Sequence, residues 1–309
     1  MPPSRIKAIL LAVLVVIIWS TSWILIKVGM EDIPALTLNG LRYTLAFFLM
    51  LPFLFLPKVR IHFHQMSRKD WNDLVILGIV FIGLTQGALA LSLVYLPAVT
   101  ASLIMNCTPV FVAFLGIGFL NERPTGLQWG GLSINMAGVF LYFFPLQSKD
   151  NNWLGLLIAL GCLILNIIGS LLSRRINRGA RMNAYIVSTV SIGVGGLMML
   201  VAGININGVP VFNLDGLMIL GWLAVVNTAV AFPMWNYSLQ TLTAMESNII
   251  SNTMLIYVAI LAFMFLGEQL TIQQGIGLIL TGVGAVLVQI QSMRKPKQLK
   301  NISAASLNI

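Results

Sequence analysis

Charge is scarce in this chain of 309 residues: Asp, Glu, Lys and Arg together make up 9%, where a soluble domain carries about a quarter. With 58% of the residues hydrophobic, so few charges cannot cover the exterior of a water-soluble globule, and the surrounding solvent must be partly lipid. Acid is scarcer still, with nine Asp and Glu against 18 Lys and Arg. No carboxylate falls in the middle of an apolar run, so a proton relay built on buried acids is not evident and the energy source stays open. Cysteine occurs only as Cys107 and Cys162, both inside apolar runs and without disulfide or metal spacing. The two histidines, His62 and His64, share one polar loop with no partner motif. Nothing therefore calls for a metal or a cofactor.

What is abundant is apolar sequence in long runs. A helical span needs roughly 20 apolar residues, and ten such runs leave only short loops, with no room for a separate soluble domain. The runs predict helices over Ile6–Val28, Pro34–Leu56, Leu74–Tyr95, Ala98–Leu120, Thr125–Phe144, Trp153–Ser173, Asn183–Ile204, Leu214–Leu239, Thr243–Leu266 and Ile272–Gln291. They must be helices, because backbone exposed to lipid has to satisfy its hydrogen bonds within the segment; the alternation of a membrane barrel is absent. Arg5 and Lys7 before the first run suggest a signal peptide, but no small-x-small pattern closes the run, which is read as a span.

The net charge of +9 does not point to nucleic acid, because the basic residues sit in short clusters between apolar runs. With a cytoplasmic N-terminus, fifteen of the 18 Lys and Arg fall on the cytoplasmic side and only Lys149 on the other, Lys27 and Arg42 lying within spans. Both termini are expected inside, in a multi-pass protein of the inner (plasma) membrane. The tail 293–309 is polar.

The sequence also repeats itself at an offset of 146 residues: Phe119, Leu120, Glu122, Thr125, Gln128, Gly131 and Gly138 reappear as Phe265, Leu266, Glu268, Thr271, Gln274, Gly277 and Gly284, and Asn106 as Asn252. The halves, 1–145 and 152–292, carry five spans each. Five is odd, so the halves must face opposite ways: an all-α membrane protein of ten transmembrane helices in two inverted five-helix repeats.

Four features carry a resemblance. They are Trp19-Ser20-Thr21-Ser22-Trp23 followed by Lys27, then Leu41-Arg42-Tyr43, then the Phe-Leu-x-Glu endings at Glu122 and Glu268, and the repeat itself. Over about residues 6 to 291 the chain resembles the drug/metabolite transporter superfamily, specifically EamA-type ten-helix exporters. The resemblance implies a central cavity lined by helices 1, 3, 4, 6, 8 and 9, and export of amino acids or similar metabolites. One departure is Pro109 after Asn106, which has no counterpart after Asn252, so a like bend in helices 4 and 9 is in question.

Polar residues inside lipid need a reason. Ser102 with Asn106, and Asn248 with Asn252, lie four apart on one helix face; they suit a substrate-binding cavity wall or interhelical hydrogen bonding equally. Arg42 sits about 12 Å below the end of its helix, as an anchor for a carboxylate or as half of a structural pair with a helix-end carbonyl, Glu31 or Asp32, the second being favoured. Lys27 can snorkel. Trp19, with Ser22 on its face, and Trp23 stack on substrate or fill core space. Helix 8, with Asn227, Thr228, Pro233, Trp235, Asn236 and Tyr237, is the most polar span and the best candidate for substrate contact. Gln86 and Thr85 correspond to it in the other half, with Tyr257 and Asn166 as weaker candidates. Glu122 and Glu268 lie at helix ends and are read as stabilising the N-terminus of the next helix. Glu246 near the start of helix 9 is a lesser candidate for coupling. The glycine faces Gly131/Gly138 and Gly277/Gly284 suit close helix packing, within the chain or at a homodimer contact.

The leading reading is a secondary transporter exporting a small metabolite by alternating access, with the lipid bilayer and a small-molecule substrate as its partners. A membrane-embedded enzyme would need a nucleophile, base or metal cluster, and a channel would show rings of like residues; the sequence offers neither.

Overall fold

The computed structural model describes residues 2–29, 33–96, 98–144, 152–210, 214–266 and 270–293, and every regular element among them is helical. Ten long helices follow one another. α1 is Arg5–Gly29, α2 Ala35–Met50 and α3 Arg68–Tyr95; α4 is Ala98–Asn106 continued by Thr108–Leu120, and α5 is Gly126–Phe143. α6 is Trp153–Asn177, α7 Ala184–Asn207 and α8 Leu214–Ser238; α9 is Ala244–Asn252 continued by Met254–Leu266, and α10 is Ile272–Met293. Among the described residues nine helices are long and apolar enough to cross a membrane. α5 is not among the nine because Gln128, Asn135 and four glycines dilute its 18 residues, yet it packs along α10, which is. Their outward faces carry Leu10, Phe114, Leu157, Val201, Phe263 and Ile279, all exposed, a surface that only lipid makes inexpensive.

Local chemistry sets the boundaries. Capping boxes open four helices: Ser67 with Asp70 at α3, Thr125 with Gln128 at α5, Thr243 with Glu246 at α9, and Thr271 with Gln274 at α10. The first starts α3 at Arg68, before the apolar run that suggested Leu74. The regular part of α2 ends at Met50, short of the expected Leu56, because Pro52 opens a 3-10 turn over Leu51–Phe55. Left-handed residues stop α4 and α7, Asn121 at φ 54° and Gly208 at φ 77°, the second being a conformation glycine adopts freely.

Two helix pairs display the inversion directly. On α2 and α7, Thr37 meets Gly203, Gly40 meets Leu200, Tyr43 and Thr44 meet Gly196, and Phe47 meets Gly193. On α5 and α10, Gly131 meets Gly284 and Gly138 meets Gly277. In both pairs rising numbers on one helix meet falling numbers on the other, so the helices run antiparallel. Each pair is also a helix and its own counterpart at the 146-residue offset. The repeats are therefore related by an approximate twofold axis that reverses helix direction. That axis passes where a residue meets its own equivalent: Phe47 against Gly193, and Asn252, whose Nδ2 donates to the Asn106 carbonyl at 3.0 Å.

The glycine stripes of α5 and α10 are thus used within one chain. A Cβ on Gly138 would stand 2.5 Å from the Thr281 amide nitrogen and 2.6 Å from the Gly277 carbonyl oxygen, whereas one on Gly130 meets nothing within 4 Å. Gly138→Leu is expected to destabilise the folded protein by about 3 kcal/mol, the upper part of the range for overpacked cores. Gly130→Leu should leave the melting temperature in detergent near that of the parent. Equal melting of the two variants would contradict this packing.

Interruptions also come in equivalent pairs. α4 breaks after Asn106 and α9 after Asn252, even though only α4 has the proline, so the absent proline does not keep α9 straight. In α9 the Thr253 N–H turns back to the Ile250 carbonyl at 3.0 Å and its hydroxyl donates to the same oxygen at 2.6 Å; in α4 the Cys107 N–H bonds the Ile104 carbonyl at 3.1 Å. Tightening to three-residue turns shifts both helix axes without proline. α3 and α8 each contain a π-helical stretch, Gly78–Leu84 and Val225–Val230, ending at equivalent positions. Thr85 and Thr228 donate their hydroxyls five residues back, to the Val80 and Leu223 carbonyls at 2.7 and 2.8 Å.

Candidate functional site

The π-helical stretch of α8 gathers the polar and aromatic residues of three helices. α1 is seated on this stretch by a side-chain bond: the Trp19 indole N–H donates to the Asn227 carbonyl at 2.9 Å. Asn227 replies with its side chain, whose Nδ2 donates to the Ile18 carbonyl at 2.8 Å and to Thr21 Oγ1 at 3.4 Å. Asn227 is fully buried and its Oδ1 has no hydrogen-bond partner among the described residues.

Around this junction the rings form a continuous group. Trp19 lies 5.2 Å from both Phe232 and Trp235, centre to centre, and Phe232 meets Tyr43 edge-on at 5.9 Å. Tyr257 of α9 packs against the apolar cluster that includes Trp235, as Trp19 does. From α2, Arg42 enters with 7% of its surface exposed. Its Nε donates to Thr228 Oγ1 at 3.0 Å, and its guanidinium lies 4.8 Å from the Tyr43 ring centre. Trp19, Arg42, Asn227, Trp235 and Tyr257 are thus brought together. Gln86 is half-buried on α3 just after the other π-helical stretch. Glu31 and Asp32, the suggested partners of Arg42, lie outside the described residues, as do Lys149, Glu268 and the side chains of Trp23 and Lys27.

The remaining candidates make hydrogen bonds within the protein. The Ser22 hydroxyl donates to the Trp19 carbonyl of its own helix at 2.6 Å. Asn236 donates to Ser188 Oγ at 2.8 Å and accepts from Asn177 at 2.7 Å, which ties α8 to α7 and α6. Asn106 and Asn248 donate to carbonyls one turn back, of Ser102 and Ala244, both at 2.8 Å. Asn252 Nδ2 bridges the Asn106 carbonyl and Asn135 Oδ1, 3.2 Å away, while Asn135 Nδ2 donates to the Thr281 carbonyl at 2.9 Å. The asparagine group on the twofold axis therefore pins α4, α5, α9 and α10 together. Asn135, fully buried, was not singled out from the sequence; an asparagine mid-way along an apolar run was the signal.

One end of the bundle, where α1 begins, is closed by ion pairs between the repeats. Arg5 pairs with Glu246, which is 1% exposed and also accepts from Gln128 Nε2 at 3.2 Å. Arg174 Nε meets Glu122 at 2.7 Å, and Arg181 meets Asp70. Glu122 does sit at a helix N-terminus, but of α9 rather than the expected α5: its second oxygen accepts the Ala244 N–H at 2.9 Å. The left-handed turn at Asn121 breaks the chain away from α4, and Arg174 holds the carboxylate against the second repeat. A cavity of about 80 Å³ lies against this closure, lined by Glu122, Gln128, Thr243 and Met245 among others. A larger groove of about 480 Å³ between α9 and α10 has only apolar residues and glycine on its walls, such as Ile256, Ile279 and Val286, and opens to the lipid side.

Inverted five-helix halves, paired interruptions and a polar junction inside a lipid-facing shell define a membrane transporter fold. The chain belongs to the EamA-like transporter family, which matches residues 6–144 and 153–290. It is similar to a probable amino-acid metabolite efflux pump of Escherichia coli K12, 26% identical over 301 residues, spanning 94% of this chain and 97% of that one. An uncharacterized transporter of Archaeoglobus fulgidus is 26% identical over 290 residues, 91% and 96% of the two chains. The uncharacterized inner membrane transporter YedA of Escherichia coli K12 is 25% identical over 230 residues, 74% and 72% of the two chains. A crystal structure superposes with a TM-score of 0.79 over 94% of this chain and all of its own, at 16% identity, which extends the likeness to the fold.

Proposed function

We propose that this protein is a secondary transporter of the inner membrane that exports a small metabolite of the amino-acid type by alternating access, with both termini in the cytoplasm. The observation that carries this reading is the antiparallel register between equivalent helices, α2 with α7 and α5 with α10. Two like halves of opposite direction can exchange conformations, and the exchange opens one end while it closes the other. The Trp19–Arg42–Asn227 junction supplies polar and aromatic groups between the halves. The positive end of the bundle, with Arg5, Arg174 and Arg181, suits the cytoplasm, and the name of the Escherichia coli efflux pump supports both substrate type and direction. No catalytic group is assigned.

The test is flux of a radiolabelled amino-acid and metabolite panel in proteoliposomes, with and without a pH gradient. Saturable, protein-dependent movement of at least one amino acid is expected, with export favoured in oriented vesicles. Conductance steps in a planar bilayer, or no saturable flux of any compound on the panel, would overturn the reading.

A further inference from the structure

Arg42 is a buried cation whose charge no carboxylate in the described structure answers. Its Nε is bound by Thr228 and its face rests on Tyr43, and its two Nη groups have no partner among the described residues. Four of the five described carboxylates, Asp70, Asp73, Glu122 and Glu246, sit at the end of the bundle where α1 begins, each against an arginine. The fifth, Asp215, opens α8 thirteen residues before Thr228, about 20 Å along the helix. An isolated buried charge is costly unless something pairs with it. A guanidinium anchored through Nε presents two parallel Nη–H donors, the geometry that matches a planar carboxylate. The Tyr43 ring beside the guanidinium, with Phe232 edge-on to it, lowers the local polarity, which strengthens such a pair.

We propose that Arg42 clamps the carboxylate of the transported molecule, so that the substrate class is defined by a free acid group. This rests on the transporter reading above. Thr228, the last polar residue of the α8 π-helical stretch, fixes the guanidinium in place, which gives that irregular segment a task in recognition.

The test uses the full chain in detergent and in proteoliposomes, with phenylalanine, leucine and glutamine each set against its own carboxamide. In the parent, the acids should raise the melting temperature and move across the membrane, and the amides should do so at least about tenfold more weakly, the size of one charge-assisted contact. In Arg42→Gln the preference for acid over amide should vanish, and in Arg42→Lys it should be reduced. Without ligand, Arg42→Gln should melt at or above the parent temperature, because an unanswered buried charge has been removed; a structural ion pair would lower it. The inference is overturned if Arg42→Gln keeps the acid preference, if it melts lower without ligand, or if no acid shifts the parent's melting. Absence of flux in every variant, with acid-specific melting shifts intact in the parent and lost in Arg42→Gln, would sink the transporter reading and spare the clamp.

Discussion

Replacing Glu246 by alanine is expected to unlock the end of the bundle where α1 begins while the rest of the fold persists. Three demands meet on this one carboxylate. It pairs with Arg5 from the other repeat, accepts from Gln128 Nε2 of α5, and accepts the Thr243 N–H in the capping box that starts α9, at 3.0 Å. Alanine leaves the Gln128 amide, the Arg5 guanidinium and the helix start without their acceptor at once. Breaking a buried pair from one side costs about 3–5 kcal/mol; Arg5 keeps 28% of its side chain exposed, which places the loss near the lower figure. The measurement is thermal melting together with thiol alkylation of a cysteine placed at Met245, which lines the cavity under the closure. Melting should fall and the alkylation rate should rise. Arg5→Ala combined with Glu246→Ala should cost less than the sum of the two single changes, because each single change already forfeits the pair. Unchanged alkylation in both single variants would show that the ion pair does not hold this end shut.

Much of this architecture could be read before any coordinates, and the reason is physical. Lipid forces each span to be helical and long, so ten apolar runs translate directly into ten helices. An odd number of spans per repeat fixes the inversion. The glycine stripes announced close packing, but sequence could not say against what: Gly138 needed Gly277 beside it, and both belong to faces that look alike. The break in α9 was hidden because Thr253 makes it with a hydroxyl, without the proline that flags its partner in α4. Arg5, Arg174 and Arg181 read as loop charges because their number and placement already satisfied the orientation bias; which acids they meet depends on how two distant segments fold together. Asn236 and Trp235 are neighbours in the sequence, equally prominent, yet one faces Ser188 and Asn177 and the other the Trp19 ring. A helix turns about 100° per residue, which here points these two neighbours at different helices.

That separation makes Trp19 the more telling position for transport. Its ring is shared between Phe232 and Trp235, and its N–H is the contact that seats α1 on the π-helical stretch of α8. Trp19→Ala removes ring and donor together, and buried aromatic truncations cost about 3–5 kcal/mol, so a loss of flux there would mix folding with function. Trp19→Phe keeps an aromatic body and loses the bond to the Asn227 carbonyl. Its stability should fall by only about 1 kcal/mol, the net value of one hydrogen bond. If the junction is where the halves grip substrate, amino-acid flux by Trp19→Phe should nevertheless drop at least about tenfold, because a carbonyl released from α1 lets the Thr228–Arg42 contact drift, and displacements of about 1 Å at a binding group are enough to forfeit its interaction. Asn236→Ala is the control with the opposite signature. It strips hydrogen bonds from Ser188 and Asn177 away from the rings, so melting should suffer and flux per folded molecule should not. Should Trp19→Phe transport normally while Asn236→Ala does not, the substrate lies on the α6–α7 side of α8, and the aromatic junction is scaffolding.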